Sequence, residues 1–227
     1  MSAVTGKQAV RWNGLRMRTV SDVTLRSSTT LTPEDRSAIA LLRKTASSAA
    51  SLRTLKGTGF GQIEEVSSRT LHNWKLDYVK RLLRPMRLVS ALADSVEVFS
   101  SLNVGFHNDA YAVSSSMFCA AVIAGPARDV VFPHIGVRYT LEPGVMVAFD
   151  PALVHALLPV GAEVLPLERP AKIQEDDVTV FLSAELSLTP GVLKRFRLDS
   201  MDEAEARHQN LSRPDLASFC PQTGVLQ

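Results

Sequence analysis

Between residues 96 and 186 the chain is written in short apolar runs, each cut off by Gly, Pro, Asp or Asn. Runs of this length bounded by turn residues read as strands. Residues 120–126 form a strand ending in a turn, and 130–133 a short strand. Residues 141–150 read as turn, strand and end, and 154–160 as a further strand. The hundred residues before this block have a different texture. A helical first part followed by about eight strands suits a mainly β, α+β fold: a jelly roll buttressed by helices on one face.

The helices are marked by their ends and their periodicity. Thr32-Pro33-Glu34-Asp35 has an N-cap residue, a Pro at N1 and acids in the first turn. Ile39, Leu42, Ala46 and Ala49 follow at helical spacing, and Gly57 is the expected stop. A second helix is expected over 68–83, where Leu71, Trp74, Tyr78 and Leu82 form one apolar stripe. A third is expected over 86–95, and a short charged helix over 201–210. The last ten residues are expected to be disordered. The whole is read as one domain over 1–227. It comprises a mainly helical support region (1–95), a β core (96–186), and a C-terminal helix and tail (187–227).

Three polar side chains stand out within the β block. His107-Asn108-Asp109 closes an apolar run, and His155 interrupts another, 154–160. Residues i and i+2 of a strand share a face, so His107 and Asp109 are expected to project together. An imidazole inside an apolar run is costly to bury without a partner. Two His and one carboxylate can hold one face of an octahedral metal, the arrangement of non-haem Fe(II) oxygenases. The plain alternative is a His-Asn-Asp turn unrelated to a core histidine bonded to a carbonyl.

The order H-x-D, a Pro-Gly turn at 143–144, an apolar strand ending in Phe149, His155, and then Pro159-Val160-Gly161 resembles the Fe(II)/2-oxoglutarate-dependent dioxygenase superfamily over residues 102–186. The resemblance implies a double-stranded β-helix (jelly-roll, cupin-like) core. It implies Fe(II) on His107, Asp109 and His155, with 2-oxoglutarate as cosubstrate and O2 as oxidant. It implies oxidation of a small molecule or a protein side chain, most often hydroxylation, with release of succinate and CO2. Halogenation is disfavoured by the presence of Asp109. The superfamily also sets a cation against the distal carboxylate of 2-oxoglutarate, where a planar guanidinium suits bidentate contact. The usual position, about ten residues past the distal His, has none here. Arg169 is the first choice, Arg138 the alternative, with Lys172 nearby. Tyr111 and Asn103 are further candidates for cosubstrate or substrate contact, against readings as a core Tyr and a turn Asn. His134 is a weaker candidate ligand.

Composition bounds the rest. The 227 residues suffice for one domain of ample core. No apolar run approaches the roughly 20 residues of a membrane span, and the N-terminus lacks a signal-peptide hydrophobic region. The only cysteines are Cys119 and Cys220, which fits a reducing, cytoplasmic setting. Residues 1–90 carry 16 Lys/Arg against 6 Asp/Glu, and residues 91–227 carry 9 against 17. A basic N-terminal face could dock an acidic partner, but no aromatic interleaving or motif points to nucleic acid. Two other readings stay open. One is a cupin-like metal enzyme that does not use 2-oxoglutarate. The other is a non-catalytic binding protein with a basic N-terminal face.

Overall fold

A computed structural model of the chain describes residues 8–13, 16–48, 60–62, 69–110, 115–166, 173–211 and 220–224. Two antiparallel sheets face each other. The larger has six strands: β3 (Leu25–Ser28), β10 (Val145–Phe149), β7 (Ser116–Ala124), β12 (Thr179–Ser187), β5 (Leu92–Ser101) and β4 (Phe60–Gln62), in that order. The smaller has four: β6 (Val104–His107), β11 (His155–Pro159), β8 (Arg128–Phe132) and β9 (Val137–Leu141). A three-stranded sheet joins β1 (Ala9–Asn13), β2 (Arg16–Thr19) and β13 (Ser200–Asp202).

The central strands of the large sheet are buried on both faces. Met117, Cys119, Ala121 and Ile123 of β7 point to one core, together with Met146, Ala148, Leu182 and Ala184. The alternate residues Val122, Val145, Val147, Phe149 and Phe181 point to the other, against Val130, Phe132 and Leu141 of the small sheet. The first core is closed by two helices, α1 (Pro33–Ala46) and α2 (Arg69–Met86). All four stripe residues of α2, Leu71, Trp74, Tyr78 and Leu82, lie in it. Lys75, which is not one of these four, is buried as well and donates from Nζ to Val96 O at 2.9 Å.

The start of α1 follows its sequence signals. Thr32 is the N-cap and shares a capping box with Asp35. The same carboxylate receives Trp74 Nε1 at 2.9 Å and a guanidinium hydrogen of Arg81, so it ties the two helices together. Burial alone would raise the Asp35 carboxyl. The hydrogen bonds from Arg81, Thr32 and Trp74 outweigh it and hold Asp35 below its ordinary value.

Several expectations are corrected. Residues 86–95 are not a third helix. Arg87, at φ 58°, ends the helical path, a 3-10 turn spans Val89–Ala91, and β5 begins at Leu92. Pairing with β12 along nearly the whole of β5 overrides the local helical pattern. Among the described residues, 8–13 and 16–30 contain strands rather than helices. They supply β1, β2 and β3, and β3 extends the large sheet through pairing with β10. Helix α1 ends at Ala46, short of the stop expected at Gly57, which lies outside the described residues. The charged C-terminal helix is confined to α4 (Glu203–His208), after the one-and-a-half-turn α3 (Pro190–Arg195). Part of the expected disordered tail is ordered: Phe106 N donates to Pro221 O at 2.9 Å and Leu165 N to Gln222 O at 3.0 Å. Among the described residues, no helix is long and apolar enough to cross a membrane.

Candidate metal centre

The small sheet positions both histidines. β6 and β11 pair with His107 opposite His155 and Val104 opposite Leu157. Three steps along β6 thus face two along β11, which is a β-bulge. Strict alternation would put Val104 and His107 on opposite faces. The bulge re-aims the strand, so both line the space between the sheets. Phe106 goes instead to the outer face, with Val131, Ala156 and Leu158. Gly105 sits in the bulge where a Cβ would come within 3.0 Å of Leu165 Cδ2 and 3.1 Å of Pro221 O.

Asp109 does join His107, but not through strand alternation. β6 stops at His107, and Asp109 lies in the loop beyond it. The loop is held by Asp109 N donating to Pro151 O at 2.8 Å and Ala110 N donating to Asn108 Oδ1 at 3.3 Å. Nε2 of His107 and Nε2 of His155 each lie 3.8 Å from Asp109 Oδ2. One ligand atom from each residue falls within 4.8 Å of the others.

The rings are set for ligation. Nδ1 of His107 is 2.8 Å from Gly105 O, and Nδ1 of His155 is 2.8 Å from Leu153 O. A carbonyl oxygen only accepts, so in the neutral form of either ring Nδ1 carries the proton and Nε2 presents its lone pair. This is the outer-shell arrangement that orients metal-bound histidines. Burial, then the charge of His107, pushes the His155 ring down to about 3, partly opposed by the Leu153 hydrogen bond. His155 is therefore neutral, the form that binds metal. Burial raises the Asp109 carboxyl, and a charge on His107 opposes it. A dication among these atoms would favour the ionised carboxylate. Convergence, tautomer and charge all fit a divalent metal.

A buried ion pair supports the triad from behind. Arg18 of β2 and Asp150, both fully buried, meet at 2.6 Å and 3.0 Å. Asp150 also accepts from Ser21 N at 2.8 Å and Ala152 N at 3.0 Å. It thereby fixes the turn whose carbonyls, Pro151 O and Leu153 O, hold Asp109 and His155. Sequence reasoning missed both residues, and nothing local to Arg18 signals the partnership.

The triad opens onto a cavity of about 530 Å³ between the sheets. Its walls are mostly apolar, with Phe99, Phe118, Phe149, Phe181, Val122 and Leu141. Phe149 meets the His155 ring edge-on at 4.7 Å. Besides the triad, the polar lining is Glu97, Ser183 and Glu185, which sequence reasoning also missed. Their only signal is a polar residue at alternate positions of an apolar strand. Among the described residues, no Arg or Lys lines the cavity.

The other expected site residues fall elsewhere. Arg138 is on β9, where Val137, Tyr139 and Leu141 face inward. It faces away and donates to Asp129 Oδ2 at 2.7 Å. Asn103 is half-buried before β6, outside the cavity lining, and its Oδ1 is buried with no hydrogen-bond partner. His134 contacts Gly224 O at 3.1 Å through Nε2, away from the triad. Arg169, Lys172 and Tyr111 lie outside the described residues.

No protein-family profile matches the chain, and no curated protein matches its sequence. Several solved structures are similar to it, all at low identity. A viral collagen prolyl hydroxylase from Paramecium bursaria Chlorella virus-1, in a 2-oxoglutarate complex, is 10% identical over 73% of this chain and 96% of its own, with a TM-score of 0.42. The non-haem α-ketoglutarate-dependent epimerase SnoN of nogalamycin biosynthesis is 13% identical over 72% and 78%, with a TM-score of 0.42. An oxidoreductase of the 2-oxoglutarate–Fe(II) oxygenase family from Burkholderia pseudomallei is 14% identical over 67% and 89%, with a TM-score of 0.36.

Proposed function

We propose that the chain is an Fe(II)- and 2-oxoglutarate-dependent oxygenase on a double-stranded β-helix core, acting on a small molecule or a protein side chain in the cytoplasm. The observation that carries this reading is the convergence of two Nε2 lone pairs and one carboxylate at the opening of an apolar cavity. Two His and one carboxylate leave coordination positions open, as oxygen chemistry requires.

His107, Asp109 and His155 would hold the iron, which when bound supplies the activation of dioxygen at the expense of 2-oxoglutarate. The chain's own residues do the rest. Gly105 O and Leu153 O keep the imidazoles turned to the metal. Arg18 and Asp150 keep the supporting turn in place. Phe118, Phe149 and Phe181 keep water from the reacting centre and give a substrate an apolar surface to lie on. Arg169 remains the proposed partner of the distal carboxylate of 2-oxoglutarate, and Tyr111 a proposed contact.

The test is succinate formation. Purified protein is expected to release succinate from 2-oxoglutarate only with Fe(II) and O2, and His107→Ala is expected to abolish it. Equal succinate release from His107→Ala would overturn the reading.

One observation favours a second reading, a cupin-like metal enzyme without 2-oxoglutarate. The described cavity lining contains no cation to meet a dicarboxylate. Oxygen uptake measured with Fe(II) and candidate substrates, with and without 2-oxoglutarate, separates the two. Uptake that does not depend on 2-oxoglutarate selects the second.

A further inference from the structure

Three polar residues interrupt the aromatic wall opposite the metal ligands, and their arrangement is specific. Glu97 of β5 and Ser183 of β12 are directly cross-strand. Glu185 follows two residues along β12 on the same face, and all three line the cavity. Diagonal neighbours of this kind lie about 7–8 Å apart at Cα, so the two carboxylates flank the serine. Glu185 pairs across the sheet with Phe118, and Phe118 with Phe149, whose ring abuts His155. The polar patch therefore faces the cavity at the level of the metal ligands.

The patch lacks protein partners. Ser183 is only 5% exposed, and its hydroxyl forms no hydrogen bond with any described residue. Glu185 accepts Ser116 Oγ at 2.7 Å, and neither glutamate has a basic partner among the described residues. The hydroxyl thus reaches the cavity with its hydrogen-bonding capacity open to a ligand, between an exposed carboxylate, Glu97, and a half-buried one, Glu185. The cavity holds no described Arg or Lys to offset them. What the patch offers is three acceptor side chains at neighbouring positions on one face of the sheet. A primary ammonium has three N–H donors and no acceptor. Phe99 and Phe118 line the same cavity, and aromatic rings near an ammonium favour the cation.

We propose that the substrate carries a primary ammonium group on an apolar body. The ammonium is held by Glu97, Ser183 and Glu185, and the apolar body lies along the phenylalanine wall toward the metal. The proposal rests on the metal centre described above, and it names the substrate class of that site.

The test uses the full chain and four matched probes: 4-phenylbutylamine, its N,N-dimethyl derivative, 4-phenylbutan-1-ol and 4-phenylbutyrate. Saturation-transfer NMR on the metal-free chain reads affinity. Paramagnetic relaxation of the probe protons by Mn(II) reads placement. The primary amine is expected to bind about fivefold or more tighter than the alcohol at low salt. The tertiary amine should fall between them, and the acid should bind weakest. E97Q/E185Q should erase the preference for the amine, S183A should reduce it, and both should leave Mn(II) affinity unchanged. An amine that binds no better than the alcohol overturns the substrate assignment while the metal reading stands. Failure of Mn(II) to bind overturns the metal reading. Amine selectivity in the metal-free chain, lost in E97Q/E185Q, still decides this one.

Discussion

The two faces of the large sheet are built from the same strands and serve different ends. Toward the helices, β7, β10 and β12 present Met, Cys, Ala, Ile and Leu in a filled core. Toward the small sheet, the alternate residues are Phe118, Ala120, Phe149, Phe181, Ser183 and Glu185, around an open cavity. One face is packed throughout, and the other packs around Val145 and Val147 and opens into the cavity beside them. A one-residue step along a strand crosses between the two. The consequence for mutation is direct: losses on the helix face are structural, and losses on the cavity face are functional.

The largest stability effect is expected where the two roles meet. Arg18→Ala leaves the fully buried Asp150 carboxylate without its counter-ion. A broken buried pair of this kind costs about 3–5 kcal/mol, read from the denaturant midpoint. The same change should weaken Mn(II) binding, because the turn under Asp109 and His155 loosens. Unchanged metal affinity in a folded Arg18→Ala would remove the pair from the account of the site.

Next come matched truncations on the two faces. Leu182→Ala, in the helix-side core, is expected to cost about 2–5 kcal/mol. Leu157→Ala lines the cavity and is half-buried. It enlarges a space that is already open, and its cost should be less than half as large. Equal costs would erase the contrast between the faces.

A smaller effect concerns acid. The folded-state value of His155 lies below its unfolded value of about 6.5, so the unfolded chain binds the extra proton. The stability that neutral His155 contributes is present above about pH 6.5 and is lost as the pH falls toward 3. Its slope is at most about 1.4 kcal/mol per pH unit. Asp109 is raised and acts in the opposite sense, losing stability as pH rises through its own range. Between pH 6.5 and 5 the metal-free protein should lose stability, and His155→Phe should lose less. Identical pH profiles would contradict this.

The smallest effect is expected at Arg138, which pairs with Asp129 on the far face of the small sheet. Arg138→Ala should cost on the order of 1 kcal/mol and leave the KM for 2-oxoglutarate unchanged. A tenfold rise in that KM would return Arg138 to the site.

What the sequence made legible was local. The Thr32–Asp35 capping box sets the start of α1 because its donors and acceptors are three residues apart. The α2 stripe is legible for the same reason, being carried by short-range spacing, whereas in H-x-D…H only the His107–Asp109 pair is local and His155 is brought opposite His107 by β6–β11 pairing. What stayed illegible depends on distant pairing. Residues 92–101 are a strand because β12 lies beside them. The bulge that turns His107 inward depends on β11, Leu165 and Pro221. Arg18 meets Asp150 across a sequence separation of 132. The polar patch of Glu97, Ser183 and Glu185 becomes a cluster only once β5 and β12 are in register.

The most direct measurement is a Mn(II) titration of the metal-free full chain followed by electron paramagnetic resonance, with Asp109→Ala as the comparison. The wild type is expected to bind one Mn(II) per chain. Asp109→Ala should bind it about a hundredfold or more weakly, with the unfolding midpoint little changed because Asp109 is partly exposed. Wild-type protein that binds no Mn(II), or Asp109→Ala protein that binds it as tightly, would contradict a metal centre at His107, Asp109 and His155.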